Sequence, residues 1–552
     1  MSRIVQKVTL AAIAFLLPLS GMPPHPAAGQ ASRPNILIIL TDDQRATDTM
    51  QVLPKTLRWF ADGGTTFGNA FATTPVCCPS RASIMTGRFA HNTGVLTNRD
   101  QALLNQDSTI QRYLNGAGYR TAVLGKFINE WPLDQDPPHF DRWAIMNPAY
   151  DDATFNVDGT VEQIPGYTTD VISDMAVGLL DDFEANDADP WFLFLNPYAS
   201  HEPWIPEKDY ENADVGAWSG NPAVFETDKR DKPAYVRRAR HTLEQAQLDR
   251  QGQLRSLMSV DDLVDQVLQK VEAVGEQDTL AFFLSDNGFF WSEHGLTSKN
   301  QAYTQSIQIP MFMRWPGRVQ TGAKDGRPVG NIDVVPTIME ATGVTPAPEF
   351  PVDGRSLLNP AARQKILAEG WQTGSRGPWA SIRSPAYQYV EYYLNNGTTV
   401  KYREYYDLAA DPWQLRNLFG DGTTKNDPFI GALHQELAAA RTCVGASCSF
   451  FLDEPDIPLR CPGKAKLSGH HMVGSLGNDR IRGTSARDVI CGRGGSDVIR
   501  GKGKGDRLFG TPGPDVIYGN GGNDRIYGKG GHDRCVGGPG SDVFRGCEKR
   551  RS

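Results

Sequence analysis

Four short apolar runs in this chain each end on residues that carry charge or a metal-binding oxygen. Asn35–Leu40 (NILIIL) runs into Thr41-Asp42-Asp43, and Tyr119–Gly125 (YRTAVLG) ends at Lys126. Trp191–Leu195 (WFLFL) leads to Asn196 and His201, and Leu280–Leu284 (LAFFL) leads to Ser285-Asp286-Asn287. Asp42, Asp43, Asp286 and Asn287 all offer oxygen, which a hard cation such as Ca²⁺ or Mg²⁺ prefers, whereas zinc favours Cys and His. Adjacent carboxylates repel unless a cation sits between them. Lys126, Lys299, Arg81 and His201 add positive or protonatable groups. An oxygen-held cation ringed by such groups is a receptacle for a tetraoxo anion, sulfate or phosphate. Taken singly, each residue has a plainer reading: Asp42 as a helix cap, Asp286-Asn287-Gly288 as a turn.

A nucleophile is offered by Thr73–His91, TTPVCCPSRASIMTGRFAH. Pro79 suits a helix start and Gly87 a helix end, so SRASIMTG reads as a short helix with Cys77 just before its N-terminus. Such an end attracts anions and lowers a thiol pKa. A buried thiol pair or a vicinal disulfide is the other reading of Cys77-Cys78.

These groups need a frame. Residues 35–440 alternate strands with helices, including a long helical stretch over 233–274. Continuous apolar strands belong to a sheet covered on both faces. In open α/β sheets the ligand crevice lies beyond the carboxyl ends of the strands, where the polar groups fall here. The chain has 552 residues, 39% hydrophobic and 22% charged, which suits several packed domains and excludes wholesale disorder. No apolar run approaches the ~20 residues needed to span a bilayer, and no nucleic-acid partner is expected. The net charge of −8 hides a split: residues 461–552 hold 17 Lys/Arg against 9 Asp/Glu, the rest 39 against 55. Glycine splits likewise, with 23 of 56 in those last 92 residues.

That tail is a repeat. Asp479, Asp488, Asp497, Asp506, Asp515, Asp524, Asp533 and Asp542 are spaced by nine, with a glycine five residues before each. Two residues after each Asp stands Ile, Leu, Cys or Phe. A fixed short period means a solenoid whose turns each bury one apolar residue, and carboxylates in phase can share hard cations with backbone carbonyls. A Gly-rich linker is the alternative. The tail's positive balance suits an anionic polymer or surface, or is solvated charge.

Residues 1–31 combine Arg3 and Lys7 with the apolar core Val8–Leu19 and small residues to Ala31, the pattern of a secretory signal. A secreted, extracellular protein is expected, free or held at the cell surface. Export favours disulfides. Of eight cysteines, six lie between 443 and 547, and Cys443–Cys448 and Cys535–Cys547 are the local pairs expected. Cys77 and Cys78 stand apart.

Cys77-Cys78-Pro79-Ser80-Arg81 followed by Met85-Thr86-Gly87-Arg88 resembles the type I sulfatase signature C-x-P-S-R-x-x-x-M-T-G-R. RPNILIILTDDQ, GYRTAVLGKF, SHEPW, LSDNG, EHGLTSK and YYDLAADPWQLRNL resemble further blocks of that family in order along 33–440, and GKFINEW leans toward its N-acetylglucosamine-6-sulfatase-like branch. The resemblance implies an alkaline-phosphatase-like α/β core over 32–370, a large mixed sheet flanked by helices. It also implies a small α+β subdomain over 371–440. A Cys-containing linker (441–470) would then join the core to a tail (471–552) that resembles the RTX-type calcium-binding nonapeptide array, an all-β parallel β-roll. The resemblance further implies that a separate formylglycine-generating enzyme oxidises Cys77 to formylglycine, whose hydrated aldehyde attacks a sulfate ester. By the same carry-over, Asp42, Asp43, Asp286, Asn287 and the modified Cys77 would hold the metal, Ca²⁺ or Mg²⁺, and Arg81 would steady the nucleophile. Lys126, His201 and Lys299 would bind sulfate or protonate the leaving oxygen, Asn129 would assist in place of a missing histidine at 128, and His294 would lie nearby. The implied activity is hydrolysis of a sulfate ester, on a small molecule or a sugar. The rivals are a phosphodiesterase or phosphonate monoester hydrolase of the same superfamily, and a calcium-dependent surface protein with an inactive core.

Overall fold

The computed structural model describes residues 33–552 except 186–188, 361–362, 373–375, 423–427, 429, 449–470, 475–477, 493–494, 511–512 and 552. The export signal expected at 1–31 and most of the linker expected at 441–470 lie outside the described residues. Among the described residues no helix is long and apolar enough to cross a membrane.

A ten-stranded mixed sheet carries the core. Its strands include β1 (Asn35–Thr41), β2 (Thr65–Phe71), β3 (Arg120–Gly125), β4 (Arg142–Met146), β5 (Thr154–Val157), β6 (Thr160–Gln163), β7 (Trp191–Asn196) and β8 (Thr279–Ser285). The spatial order is Ala323–Gly330, β2, Met311–Arg314, β8, β1, β7, β3, β4, β5, β6. β8, β1, β7, β3 and β4 run parallel, so their carboxyl ends share one edge.

The continuous apolar runs are strands buried along their whole length in β1, β7 and β8. Alternation sends their side chains to two separate cores. Leu37, Ile39, Leu193, Leu195 and Phe283 meet the helices Thr168–Glu184 and Leu243–Ala273 through residues such as Ile172, Leu180, Leu257 and Val264. Ile36, Ile38, Phe192, Phe194 and Phe282 meet the helices Cys77–Thr86 and Val334–Thr342 through Ala82, Met85, Val335 and Ile338. The helical stretch expected over 233–274 is two helices. Ala234–Arg238 ends where Ala239 turns extended (ψ 138°), and the long helix starts anew at a capping box. There the Gln245 amide donates to Thr242 Oγ1 (3.3 Å), while the Thr242 amide donates to Gln245 Oε1 (3.0 Å).

An antiparallel sheet follows, Ile366–Gly370, Trp379–Arg383, Tyr387–Tyr393 and Val400–Asp407. The helix Ile430–Ala440 lays Leu433 and Leu437 against Leu367, Ile382 and Tyr389 of that sheet.

The tail is a parallel β-roll. Two five-stranded parallel sheets alternate along the chain, and paired residues stand 18 positions apart, as Ile499 and Ile517 or Ile490 and Leu508, until the last pairing, Arg534 with Lys549, where the step is 15. The residue two after each Asp points inward, so Ile490, Ile499, Leu508, Ile517, Ile526 and Cys535 form one apolar column. The aspartates form two further rows, Asp479–Asp497–Asp515–Asp533 and Asp488–Asp506–Asp524–Asp542. The Asp497 amide donates to Asp515 Oδ1 (2.7 Å), and the same bond recurs from Asp506 to Asp524 and from Asp515 to Asp533 (both 2.8 Å). The turns stack so closely that a Cβ on Gly513 (φ +128°) would lie 1.9 Å from the Gly495 carbonyl oxygen. Cys443–Cys448 and Cys535–Cys547 are disulfide-bonded, as their spacing suggested, and Cys491 is bonded too.

Candidate active site

The Cys77–Thr86 helix is entirely buried, which its sequence alone does not demand. Its only strong apolar anchors are short, and a polar clasp completes its seat. Ser80 Oγ donates to the Asp286 carbonyl (2.5 Å), and Asn331 Nδ2 donates to Ser80 Oγ (2.8 Å). Asn331 Oδ1 in turn accepts from the Thr73 amide (3.1 Å) and hydroxyl (2.9 Å), which fixes the approach to the helix. The helix begins at Cys77 itself rather than just after it, and ends at Gly87 (φ 68°) as expected. At the end of β3, Gly125 (φ +90°) lets the chain pass the Asn196 carbonyl, which a Cβ would approach to 2.2 Å. That crossing brings Lys126 inward.

Around Cys77 the expected residues converge. Cys77 Sγ lies 3.5 Å from Asp42 Oδ1, and Lys299 Nζ lies 2.8 Å from Cys77 Sγ. Lys126 Nζ contacts Asp42 Oδ2, and Lys299 Nζ contacts Asp43 Oδ1. Arg81 Nε pairs with Asp286 Oδ2 (3.0 Å) and Arg81 Nη2 with Asp42 Oδ2 (3.4 Å), while Nη1 donates to the Lys126 carbonyl (2.6 Å). Asn287 Nδ2 donates to Asp43 Oδ1 (2.7 Å), and the Asp43 amide donates to Asp286 Oδ1 (3.1 Å). His201 Nε2 stands 3.7 Å from Asp43 Oδ2.

Charge compensation, not burial, decides the state of Asp42. Burial raises its carboxyl, but Lys126, His201, Arg81 and Lys299 outweigh that and hold it well below the usual carboxylate range. Burial weakens the charge of Lys299, yet Asp43, Cys77 and Asp42 hold it well above the usual range. For Asp286, burial and the Asp42 charge together push the carboxyl up, against Arg81. The thiol overturns one expectation. Burial, then the Asp42 charge, push Cys77 up to about 12 against the pull of Lys126 and Lys299, so the helix start does not lower it. As a thiol it is protonated at neutral pH and a weak nucleophile. Cys77 and Cys78 are both buried and unpaired, which removes the vicinal disulfide.

One expected neighbour lies elsewhere. His294 sits in a separate buried cluster, its Nδ1 2.7 Å from Glu226 Oε2 and its ring over Tyr303 (4.6 Å), because the EHG turn folds back toward the Ala223 carbonyl. Asn129 is half-buried and makes no hydrogen bond to this group of residues among those described; its Oδ1 is buried without a partner. Three contributors were not foreseen as site residues. Asn196 Oδ1 accepts from Arg81 Nη1 (3.2 Å), Tyr198 OH is 2.9 Å from His201 Nδ1, and Asn331 holds the helix. The polar Asn196 closing an apolar run was the one visible signal.

The donors fit a divalent cation. Asp42, Asp43, Cys77 and His201 each bring a ligand atom to within 4.8 Å of the others, and Asn287 Oδ1 is buried with no hydrogen-bond partner. A buried unpaired carbonyl beside two carboxylates is an oxygen donor without a proton to accept. The tail repeats the pattern: Oδ2 of Asp497, Asp506, Asp515, Asp524, Asp533 and Asp542 is buried and unpartnered.

The model of the Sulfatase family matches residues 34–344. This chain belongs to the sulfatase family. It is a sulfuric ester hydrolase by that membership and by its N-acetylglucosamine-6-sulfatase relatives. A second model, "N-sulphoglucosamine sulphohydrolase, C-terminal", matches 292–442 of this sulfatase, and the RTX calcium-binding nonapeptide repeat matches three windows within 473–544. The human N-acetylglucosamine-6-sulfatase is 28% identical over 76% of this chain and 87% of its own length. The N-acetylglucosamine-6-O-sulfatase of Bacteroides thetaiotaomicron is 25% identical over 74% and 87%. A solved structure in complex with its substrate D-glucosamine-2-N,6-O-disulfate shares the fold, with TM-score 0.65 and 24% identity over 74% of this sulfatase and 97% of that chain. A phosphonate monoester hydrolase of Agrobacterium radiobacter shares it more loosely, with TM-score 0.55 and 19% identity over 71% and 92%.

Proposed function

We propose that this sulfatase is secreted and removes a sulfate ester from a sugar, using formylglycine made from Cys77 by a separate maturating enzyme. The observation that carries the reading is the first residue of a buried helix facing two carboxylates and two lysines, within C-x-P-S-R. Asp42, Asp43, Asp286, Asn287 and the modified Cys77 would hold a divalent cation, Ca²⁺ by the all-oxygen preference of the side chains. Bound there, the cation supplies Lewis-acid polarisation of a sulfate oxygen, and formylglycine supplies a hydrated-aldehyde hydroxyl as nucleophile.

The remaining work falls to this chain's own side chains. Arg81, clamped between Asp286 and the Lys126 carbonyl, fixes the orientation of the helix start. Lys126 and Lys299 bring positive charge to where sulfate oxygens collect. His201, half-exposed and oriented by Tyr198, holds a proton near the leaving oxygen. The sugar assignment rests on relatives whose names specify N-acetylglucosamine 6-sulfate chemistry. Asn129 keeps a supporting role only on the substrate side, through its unpartnered Oδ1.

The tail (471–552) would bind calcium through its aspartate rows and hold an anionic polymer. Exposed arginines stack in register along both sheets, Arg482 beside Arg500 and Arg507 beside Arg525, where like charges crowd unless an anion meets them. We divide the chain at 1–31, 32–370, 371–440, 441–470 and 471–552 accordingly. The deciding experiment has two readouts on purified secreted protein. The Cys77 peptide is expected at the mass of the aldehyde, and sulfate release from N-acetylglucosamine 6-sulfate is expected to exceed hydrolysis of a phosphodiester. An untouched thiol in fully active protein, or faster phosphodiester turnover, defeats the reading.

A further inference from the structure

A cavity of about 280 Å³ opens where the carboxyl edge of the large sheet meets the antiparallel sheet, lined in part by Arg45, Thr47, Gln305, Arg383 and Trp413. Two links tie its walls to the candidate active site. Arg45 is three residues past Asp42. The backbone of Gln305 presses on Gly288, the residue after Asn287, so closely that a Cβ there would lie 2.1 Å from the Gln305 carbonyl oxygen.

Arg383 is the unusual member. It closes the strand Trp379–Arg383 and is only 8% exposed. Of the other buried arginines, Arg250 donates to the Val215 and Gly216 carbonyls (2.8 and 2.9 Å), and four have carboxylates: Arg45 pairs with Glu293 (2.9 Å), Arg81 with Asp286 (3.0 Å), Arg314 with Glu272 (3.1 Å) and Arg363 with Asp333 (2.6 Å). Arg383 has none among the described residues. Its Nη1 donates to the neutral Gln388 Oε1 (3.2 Å), its guanidinium lies 5.5 Å from the Phe71 ring centroid, and its Nε has no partner among the described residues. Burial without a counter-charge pulls its pKa down to about 9. Gln305 Oε1, on the same wall, is also buried and unpartnered, so its amide is free to turn either face to a ligand. A buried, uncompensated guanidinium is costly to keep, and an oxyanion that offers two oxygens side by side, a carboxylate or a tetraoxo group, is the ligand its fork matches.

We propose that this cavity binds a second oxyanion of the substrate, a carboxylate or a second sulfate on the sulfated sugar. Arg383 is its charge partner, and the half-buried Trp413 presents a ring to the sugar. The proposal rests on the sulfated-sugar reading above. It makes this sulfatase selective for polyanionic glycans over singly sulfated ones, because only a second anion repairs the unpaired charge.

The test compares full-length wild-type and Arg383→Gln proteins on four substrates: an aryl sulfate, N-acetylglucosamine 6-sulfate, glucosamine 2-N,6-O-disulfate, and 6-sulfated glucosamine linked to a uronic acid. For the substrates with a second anion, kcat/KM is expected to fall roughly 30-fold or more, through KM. For the first two it is expected to stay within about 2-fold, because neither carries a second anion for Arg383 to meet. Loss confined to the disulfate assigns the cavity to sulfate, and loss confined to the uronate assigns it to carboxylate. An equal loss on all four substrates, or no loss on any, overturns the proposal. If the wild-type protein cleaves none of them, the sulfated-sugar reading fails separately. Calorimetric titration of the disulfate and of the uronate-bearing sugar into both proteins then still reads the cavity, and equal Kd values for both ligands overturn it. If Arg383→Gln does not fold, Arg383→Lys takes its place, which keeps the charge and loses the planar fork: a loss confined to the substrates with a second anion is expected, and a uniform result overturns the proposal.

Discussion

The catalytic core and the β-roll both bury rows of carboxylates, and they settle the cost in opposite ways. In the core, Asp42 has no exposure, yet Lys126, His201, Arg81 and Lys299 surround it and keep it ionised. In the roll, Asp506 and Asp515 are also buried, but what faces them is chiefly other aspartates. Burial, with the charges of Asp524 and Asp488, pushes Asp506 up to about 7. Burial, with Asp533 and Asp497, pushes Asp515 up to about 8. The core brings its counter-charge in the sequence; the roll leaves it to a diffusible cation. A buried acid is therefore a site of two kinds, one preorganised and one conditional on its surroundings.

The largest expected effect tests the preorganised side. Cys77→Ala is expected to lower turnover of a sulfate ester by on the order of 10⁶-fold, the scale of losing a nucleophile. Thermal unfolding should stay close to wild type, because Cys77 faces the charge cluster rather than the apolar core. Cys78 belongs to that core, beside Ala82 and Met85. Cys78→Ala is expected to cost about 1 kcal/mol of stability and only a few-fold in rate. Equal kinetic losses in the two variants would refute the assignment of the reacting position.

How much of this was legible in the sequence follows the range of the interactions. The strands of the core announced themselves because apolar runs are local, and their polar ends pointed to a shared edge because parallel strands align their termini. The nine-residue period of the tail gave the roll, its apolar column and its aspartate rows together. Short-range disulfides were readable for the same reason. What escaped was set by distant chain. Asn331 reaches Ser80 across 251 positions, and no local pattern marks it. His294 was drawn to Glu226 by a turn whose direction depends on packing. The Cys77 thiol followed its burial and the Asp42 charge instead of the helix end, a balance that needs coordinates.

A smaller effect sharpens the conditional side. Asp506→Asn with Asp515→Asn keeps an oxygen to accept the Asp488 and Asp497 amides but removes one charge from each aspartate row. With calcium present, the thermal shift that the ion gives the roll is expected to fall, since each lost carboxylate weakens the site. Differential scanning calorimetry reads it, with turnover of an aryl sulfate unchanged. A full calcium shift in the double variant would mean that the ion binds elsewhere.

The smallest effect concerns pH in the absence of calcium. Asp506, Asp515 and Asp533 have folded pKa values of about 7, 8 and 6, all above the ordinary carboxyl value of 3.8 that the unfolded chain keeps. Between those limits the folded roll binds more protons than the unfolded one, so stability falls as pH rises. The contribution is fully present below about pH 4 and gone above about pH 8. Chelated protein should therefore keep an ordered tail at pH 5 and lose order by pH 8, followed by circular dichroism or by protease cleavage within 471–552. Added calcium should reverse the slope, because the ion competes with protons for the same oxygens. The core carries the opposite sign at Asp42, whose depressed carboxyl stabilises it above the ordinary range and releases that stability only in strong acid. A calcium-free roll that grows more stable from pH 5 to 8 would show that its aspartates are compensated by cations after all, and the contrast between the two regions would disappear.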